Sequence, residues 1–79
     1  MKEFLEYVAR SLVDKPDAVW VEVEDEGDET FLTLGVDQED MGRVIGRDGR
    51  IANALRSLLR VMATRDGRHV ELDIVNDAE

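Results

Sequence analysis

Apolar and polar residues along the chain fall into two periods. Phe4, Leu5, Val8, Ala9 and Leu12 recur at helical spacing, which predicts an amphipathic helix from about Lys2 to Val13, ended by Pro16. The period then changes. Val19, Val21 and Val23 alternate with Trp20, Glu22 and Glu24, and Leu32, Leu34 and Val36 share one side of a run from Thr30 to Val36. Two strands with one buried face each are expected. Their register follows from the short connection: if Gly27 and Asp28 form a two-residue turn, Glu26 pairs with Glu29, and Val23, Val21 and Val19 fall opposite Leu32, Leu34 and Val36. A slip by one residue would scatter this apolar set. The same register sets Trp20 opposite Gly35 on the other face, where the indole covers the glycine backbone.

Asp37 is a suitable N-cap for a short helix with Gln38, Glu39 and Asp40 in its first turn and Met41, Val44 and Ile45 as its apolar stripe. Gly46 stops that helix. A longer one runs from about Arg50 to Thr64, followed by an Asp66-Gly67 turn and a third strand in which Val70, Leu72 and Ile74 alternate with Glu71 and Asp73. The order is helix, strand, strand, helix, helix, strand. Without repeat, linker or low-complexity segment, residues 1–79 are expected to form one α+β domain, a three-stranded sheet with helices packed on one face.

A chain of 79 residues buries only about 60% of its unfolded surface, so a second subunit would help its core. There is no cysteine, hence neither a disulfide framework nor a thiolate metal site. No apolar run approaches the ~20 residues that span a bilayer, and the start, Met1 to Glu6, is acidic and periodic where a signal peptide would be basic and then apolar. A soluble, cytoplasmic protein is expected. The net charge of -9 argues at first against a nucleic-acid partner. Its distribution alters that reading: Met1 to Gly42 holds three basic and thirteen acidic residues, Arg43 to Arg68 holds seven arginines against Asp48 and Asp66, and the stretch from His69 to Glu79 is acidic again.

The basic stretch contains Gly46-Arg47-Asp48-Gly49, two glycines at i and i+3. Alone, the pattern reads equally as a helix cap followed by a tight loop. Set between a short and a long helix and followed by a strand, it resembles the core of a KH domain, whose mark is a G-x-x-G loop. The helix and strand that precede this core match the type II arrangement, the form typical of bacteria. Leu12-Val13-Asp14-Lys15-Pro16, Asp40-Met41-Gly42-Arg43-Val44-Ile45-Gly46 and Gly49-Arg50-Ile51-Ala52 extend the likeness to the small single-KH proteins of the KhpA (YlqC) family, over nearly the whole chain. The resemblance implies a protein that is not an enzyme, needs no cofactor and binds single-stranded RNA as an RNA chaperone or post-transcriptional regulator. It further implies a homodimer, a heteromer with a larger KH-domain partner, and a role in cell elongation, division and shape.

The loop residues suit that activity. Glycines let the protein backbone approach a ligand backbone, and the loop precedes a helix N-terminus, whose N–H groups favour phosphate. Such a loop clamps about four nucleotides by their backbone. Arg47 is the expected phosphate contact, with Arg43 and Arg50 adding field or a second contact. Asp48 stands against them, since a carboxylate repels phosphate. Ile45 and Ile51 flank the loop, and Asn53 and Arg56 lie on the polar arc of the long helix, within reach of bases or backbone. Arg56 and Arg60 read equally as solvated surface.

The apolar arc of the long helix, which includes Ile51, Leu55, Leu58, Leu59, Val61 and Met62, spans roughly 200°, about twice what a core alone requires. Leu55, Leu58 and Met62 are expected in the core. The surplus would serve a groove for bases or a second copy, and Leu59 is the position at which to test self-association. Trp20 and Phe31 could stack bases, but Glu22, Glu24, Glu71 and Asp73 surround them, so sheet cover or a protein contact is the better reading. His69, Ser11 and Ser57 lie in no catalytic pattern, and the run Asp25 to Glu29 lacks the spacing of a calcium loop and suits a solvated hairpin tip. From another functional class, the alternative is a protein-interaction or dimerisation module with a KH fold and little RNA binding, favoured by Asp48 and the net negative charge.

Overall fold

The two-residue turn sets the hairpin. In the computed structural model, which describes residues 1–76, β1 (Trp20–Glu26) pairs antiparallel with β2 (Glu29–Val36). Glu26 stands opposite Glu29, Val23 opposite Leu32, Val21 opposite Leu34 and Trp20 opposite Gly35, the expected register. Gly27 takes φ 58 while Asp28 keeps a negative φ, the pattern of a turn whose twist suits a hairpin. A Cβ added to Gly35 would collide with the Trp20 indole, so the ring lies directly on the glycine backbone. Asp77 to Glu79, counted above in the acidic carboxyl-terminal stretch, lie outside the described residues.

β3 (His69–Asn76) joins the other side of β2 in parallel, with Leu72 opposite Leu32, giving a mixed sheet of order β1-β2-β3. Three helices cover one face: α1 (Lys2–Leu12), α2 (Met41–Ile45) and α3 (Arg50–Arg65). Leu5 and Ala9 of α1, Val44 of α2 and Leu55 and Leu59 of α3 close on Val21, Leu32, Leu34, Val36 and Leu72 of the sheet. This is the α+β order expected from the periodicity, helix, strand, strand, helix, helix, strand. No helix among the described residues is long and apolar enough to cross a membrane.

The structure corrects several expectations. α1 ends at Leu12, before Pro16 acts, because Val13 is already extended (φ -102, ψ 160) and the N–H groups of Asp14 and Lys15 turn away to the Asp40 carboxylate. Pro16 instead opens a 3-10 turn, Pro16–Ala18. Asp37 does cap, accepting from the Glu39 N–H at 2.9 Å, but it caps a 3-10 turn at Gln38–Asp40, and α2 begins one turn later at Met41. Leu58, expected in the core, is 51% exposed, whereas Leu59 is wholly buried and cannot be a self-association surface. Val23 lies on the core side of β1 yet is 43% exposed, because no helix closes over that end of the hairpin. The acidic tip is exposed as expected, with one tie to the end of α3: Arg68 donates to Thr30 Oγ1 at 2.8 Å, Asp25 Oδ1 at 3.0 Å and the Glu29 carbonyl at 2.9 Å.

Candidate nucleic-acid interface

α2 is a single anchored turn and a half. Val44 is buried, and Met41 and Ile45 pack against the core. Gly46 ends it at φ 78, ψ 174, a region open to glycine almost alone, while its N–H returns to the Gly42 carbonyl at 2.9 Å. A Cβ at Gly46 would sit 2.7 Å from Ile51 Cγ1 and 2.9 Å from the Ile51 nitrogen. Glycine is therefore required there twice, once by conformation and once by the close approach of α3. The chain then makes a 3-10 turn, Arg47–Gly49, with the Gly49 N–H on the Gly46 carbonyl at 3.2 Å. Asp48 (φ 57, ψ 25) and Gly49 (φ 76, ψ 16) are both left-handed. Aspartate tolerates that conformation better than most side chains, so Asp48 has a local reason to stand where its charge is unhelpful.

Among the described residues no side chain caps the start of α3, leaving the donors of its first turn without a competing carboxylate or hydroxyl. Arg47 and Arg50 are exposed beside it, and among the described residues neither has an ion-pair partner. The other two candidate arginines are engaged. Arg43 meets Asp14 at 2.9 Å and Asp40 at 3.4 Å. Arg56 donates to the Leu72 carbonyl of β3 at 3.3 and 3.4 Å and to Asn53 Oδ1 at 3.3 Å. The structure thus brings Ile45, Gly46, Arg47, Asp48, Gly49, Arg50 and Ile51 together at one hinge, sets Arg43 behind it, and turns Asn53 and Arg56 along α3 towards β3.

Asp40 is the residue the sequence reading missed. Its carboxylate is 1% exposed and accepts from the Asp14 N–H at 3.1 Å and the Lys15 N–H at 3.0 Å. It thereby fastens the link after α1 to the start of α2 and holds the helix that presents the loop. In sequence it is one more acid in an acidic run, and only its burial distinguishes it.

The KhpA/KhpB KH-domain family model matches residues 2–74. The chain belongs to that family. It is 46% identical over 76 residues to the RNA-binding protein KhpA of Halalkalibacterium halodurans, covering 96% of this chain and 100% of that one. To the RNA-binding protein KhpA of Borreliella burgdorferi it is 45% identical, covering 94% and 90% of the two chains. Among solved structures, Aquifex aeolicus Era bound to GDP.AlF4- superposes with a TM-score of 0.61 at 18% identity, over 95% of this chain and 29% of that one. A structure of Era with MgGDPNP and nucleotides 1506-1542 of 16S ribosomal RNA gives 0.53 at 19% identity over the same shares. At that identity the likeness is one of fold, and this KH domain spans under a third of the Era chain. Within the KH domain the arginine-rich stretch is not one patch. Arg47 and Arg50 lie at the hinge, and Arg68 is spent on the hairpin at the far end of α3.

Proposed function

We propose that this chain binds single-stranded RNA, holding the sugar-phosphate backbone at Gly46–Gly49 and laying bases along α3 and the β3 edge. The observation that carries the reading is the hinge itself: a turn kept open by Gly46, in front of an uncapped helix N-terminus, with Arg47 and Arg50 exposed and, among the described residues, without an ion-pair partner. The relatives named RNA-binding protein, matched over nearly their whole lengths, support it. In this reading Arg47 takes a phosphate, Arg50 a second, and Ile45 and Ile51 offer apolar surface to bases. Asn53 and Arg56 line the path, and Arg43 adds field from its ion pair. Two or three phosphate contacts per domain give a shallow salt dependence, with a slope of about -0.7 per contact on a single strand. Arg47→Asp combined with Gly49→Asp is expected to keep the circular dichroism of the parent and to lose RNA retention in a gel shift. Unchanged retention would move the site elsewhere.

The exposed Leu58 and Val61, at 51% and 61%, favour a homodimer built on the outer side of α3. Leu58→Asp should then lower the sedimenting mass without unfolding the chain. If the parent retained no RNA in the gel shift while Leu58→Asp still lowered the sedimenting mass, the interaction-module reading would replace RNA binding. A heteromer with a larger KH-domain chain, a cytoplasmic location and parts in post-transcriptional control and cell elongation belong to this proposal through the family resemblance.

A further inference from the structure

The free edge of β1 is surface that RNA binding leaves unused. β1 is an outer strand of the sheet, so one side of its backbone has no strand beside it among the described residues. Glu26 and Glu29 close the two-residue turn as a hydrogen-bonded pair, and in an antiparallel ladder bonded and non-bonded pairs alternate. Val21, Val23 and Asp25 therefore turn their N–H and C=O groups to the open side. Val23 is 43% exposed, and a shallow notch of about 520 Å3 lined by Lys2, Val21, Glu22, Val23, Glu24 and Thr33 wraps this edge.

The charge on the outer face is unbalanced at the same place. Glu22 and Glu24 are exposed and, among the described residues, have no ion-pair partner, and neither have the exposed Glu71 and Asp73 on the same face. Through Thr33 and Phe31 they stand in rungs with Asp73 and Glu71, so each rung has a carboxylate at both ends. Cations arriving from outside would relieve that repulsion. A second copy of the edge does not supply them. A twofold pairing is antiparallel, and the row Trp20, Glu22, Glu24, Glu26 would meet itself reversed, carboxylate against carboxylate.

We infer that β1 accepts an extended segment of another protein by strand addition, a segment in which aliphatic residues alternate with Lys or Arg. Its main chain pairs with Val21 and Val23, its aliphatic side chains cover Val23, and its basic side chains lie beside Glu22 and Glu24. A polyanion is repelled by the same carboxylates, so RNA and this segment occupy separate surfaces.

The probe is a short peptide of alternating Val and Lys, titrated into the isotope-labelled full chain. It is expected to shift the amide resonances of residues 21–25, to slow hydrogen exchange at the Val21 and Val23 N–H groups about tenfold, and to leave Gly46–Gly49 unmoved. Glu22→Lys with Glu24→Lys should weaken binding about tenfold through the lost ion pairs. Val23→Pro removes an edge-facing donor while sparing the β1–β2 ladder, and should weaken binding with the charges intact. Equal binding by a peptide with Val and Lys in separate blocks, shifts confined to the Gly46–Gly49 turn, or an absence of shifts would each overturn the inference.

Discussion

At the amino-terminal end of α3, Arg47 and Arg50 are exposed and paired to nothing among the described residues; just past its carboxyl-terminal end, Arg68 is held by Thr30, Asp25 and the Glu29 carbonyl. The two ends carry the same residue type to opposite effect. α3 has 16 residues and is therefore about 24 Å long, roughly three Debye lengths at physiological salt. Arginines that form one cluster in sequence therefore do not act as one field. Arg68 fastens the hairpin, with Arg65 exposed beside it, while at the hinge Arg47 and Arg50 stand beside the uncapped first turn of α3, so that exposed arginines and open helix donors coincide there.

The contrast rests on the hinge being held rigidly, and the largest expected effect tests that support. Asp40→Ala leaves the buried side of the Asp14 and Lys15 N–H groups without an acceptor and should cost about 3 to 4 kcal/mol in urea unfolding. A loss below about 1 kcal/mol would mean that water or a neighbour replaces the carboxylate. Next come the glycines. Gly46→Ala meets both the glycine-only conformation and the Ile51 contacts and should cost about 2 to 3 kcal/mol. At Gly49 an added Cβ meets only Asn53 Nδ2 at 3.8 Å, so Gly49→Ala should cost about 1 kcal/mol, the left-handed penalty alone. Equal losses at the two positions would show that the close approach of Ile51 is unimportant.

The arginine comparison itself predicts a reciprocal pair of outcomes. Arg68→Ala should lower stability by about 1 to 2 kcal/mol with RNA affinity unchanged. Arg47→Ala should leave stability within about 0.5 kcal/mol and flatten the salt dependence of RNA retention by about one phosphate contact. A loss of RNA affinity in Arg68→Ala as large as that in Arg47→Ala would erase the distinction between the ends. The smallest effect lies at Lys15, whose pKa is raised above its ordinary 10.5 by the hydrogen bond it donates to the Glu39 carboxylate and by the charges of Asp37 and Glu39. A raised pKa means that this contribution is complete below 10.5 and fades as pH climbs through the higher folded value. Lys15→Met should therefore lose a marginal amount of stability at neutral pH, and the difference from the parent should shrink in strongly alkaline urea titrations.

Much of this molecule was legible in the residues because its signals are local. A two-residue turn and a period of two were enough to pair Trp20 with Gly35 and Val21 with Leu34, since a slip by one residue would turn the valines to the opposite face from Leu32, Leu34 and Val36. The G-x-x-G spacing likewise marks the hinge, because a glycine between two helical patterns signals a backbone conformation that other residues resist. What the chain alone could not decide was which equivalent residues are used where. Asp40 and Glu39 are neighbours in one acidic run, yet one is buried beneath the hinge and the other lies in a surface ion pair. Leu58 and Leu59 share an apolar arc, yet one faces outward and the other is sealed in the core. Local periodicity reports on a residue and its near neighbours in the chain; burial, pairing and freedom of charge depend on elements that arrive from elsewhere, and only the packed sheet and helices bring those together.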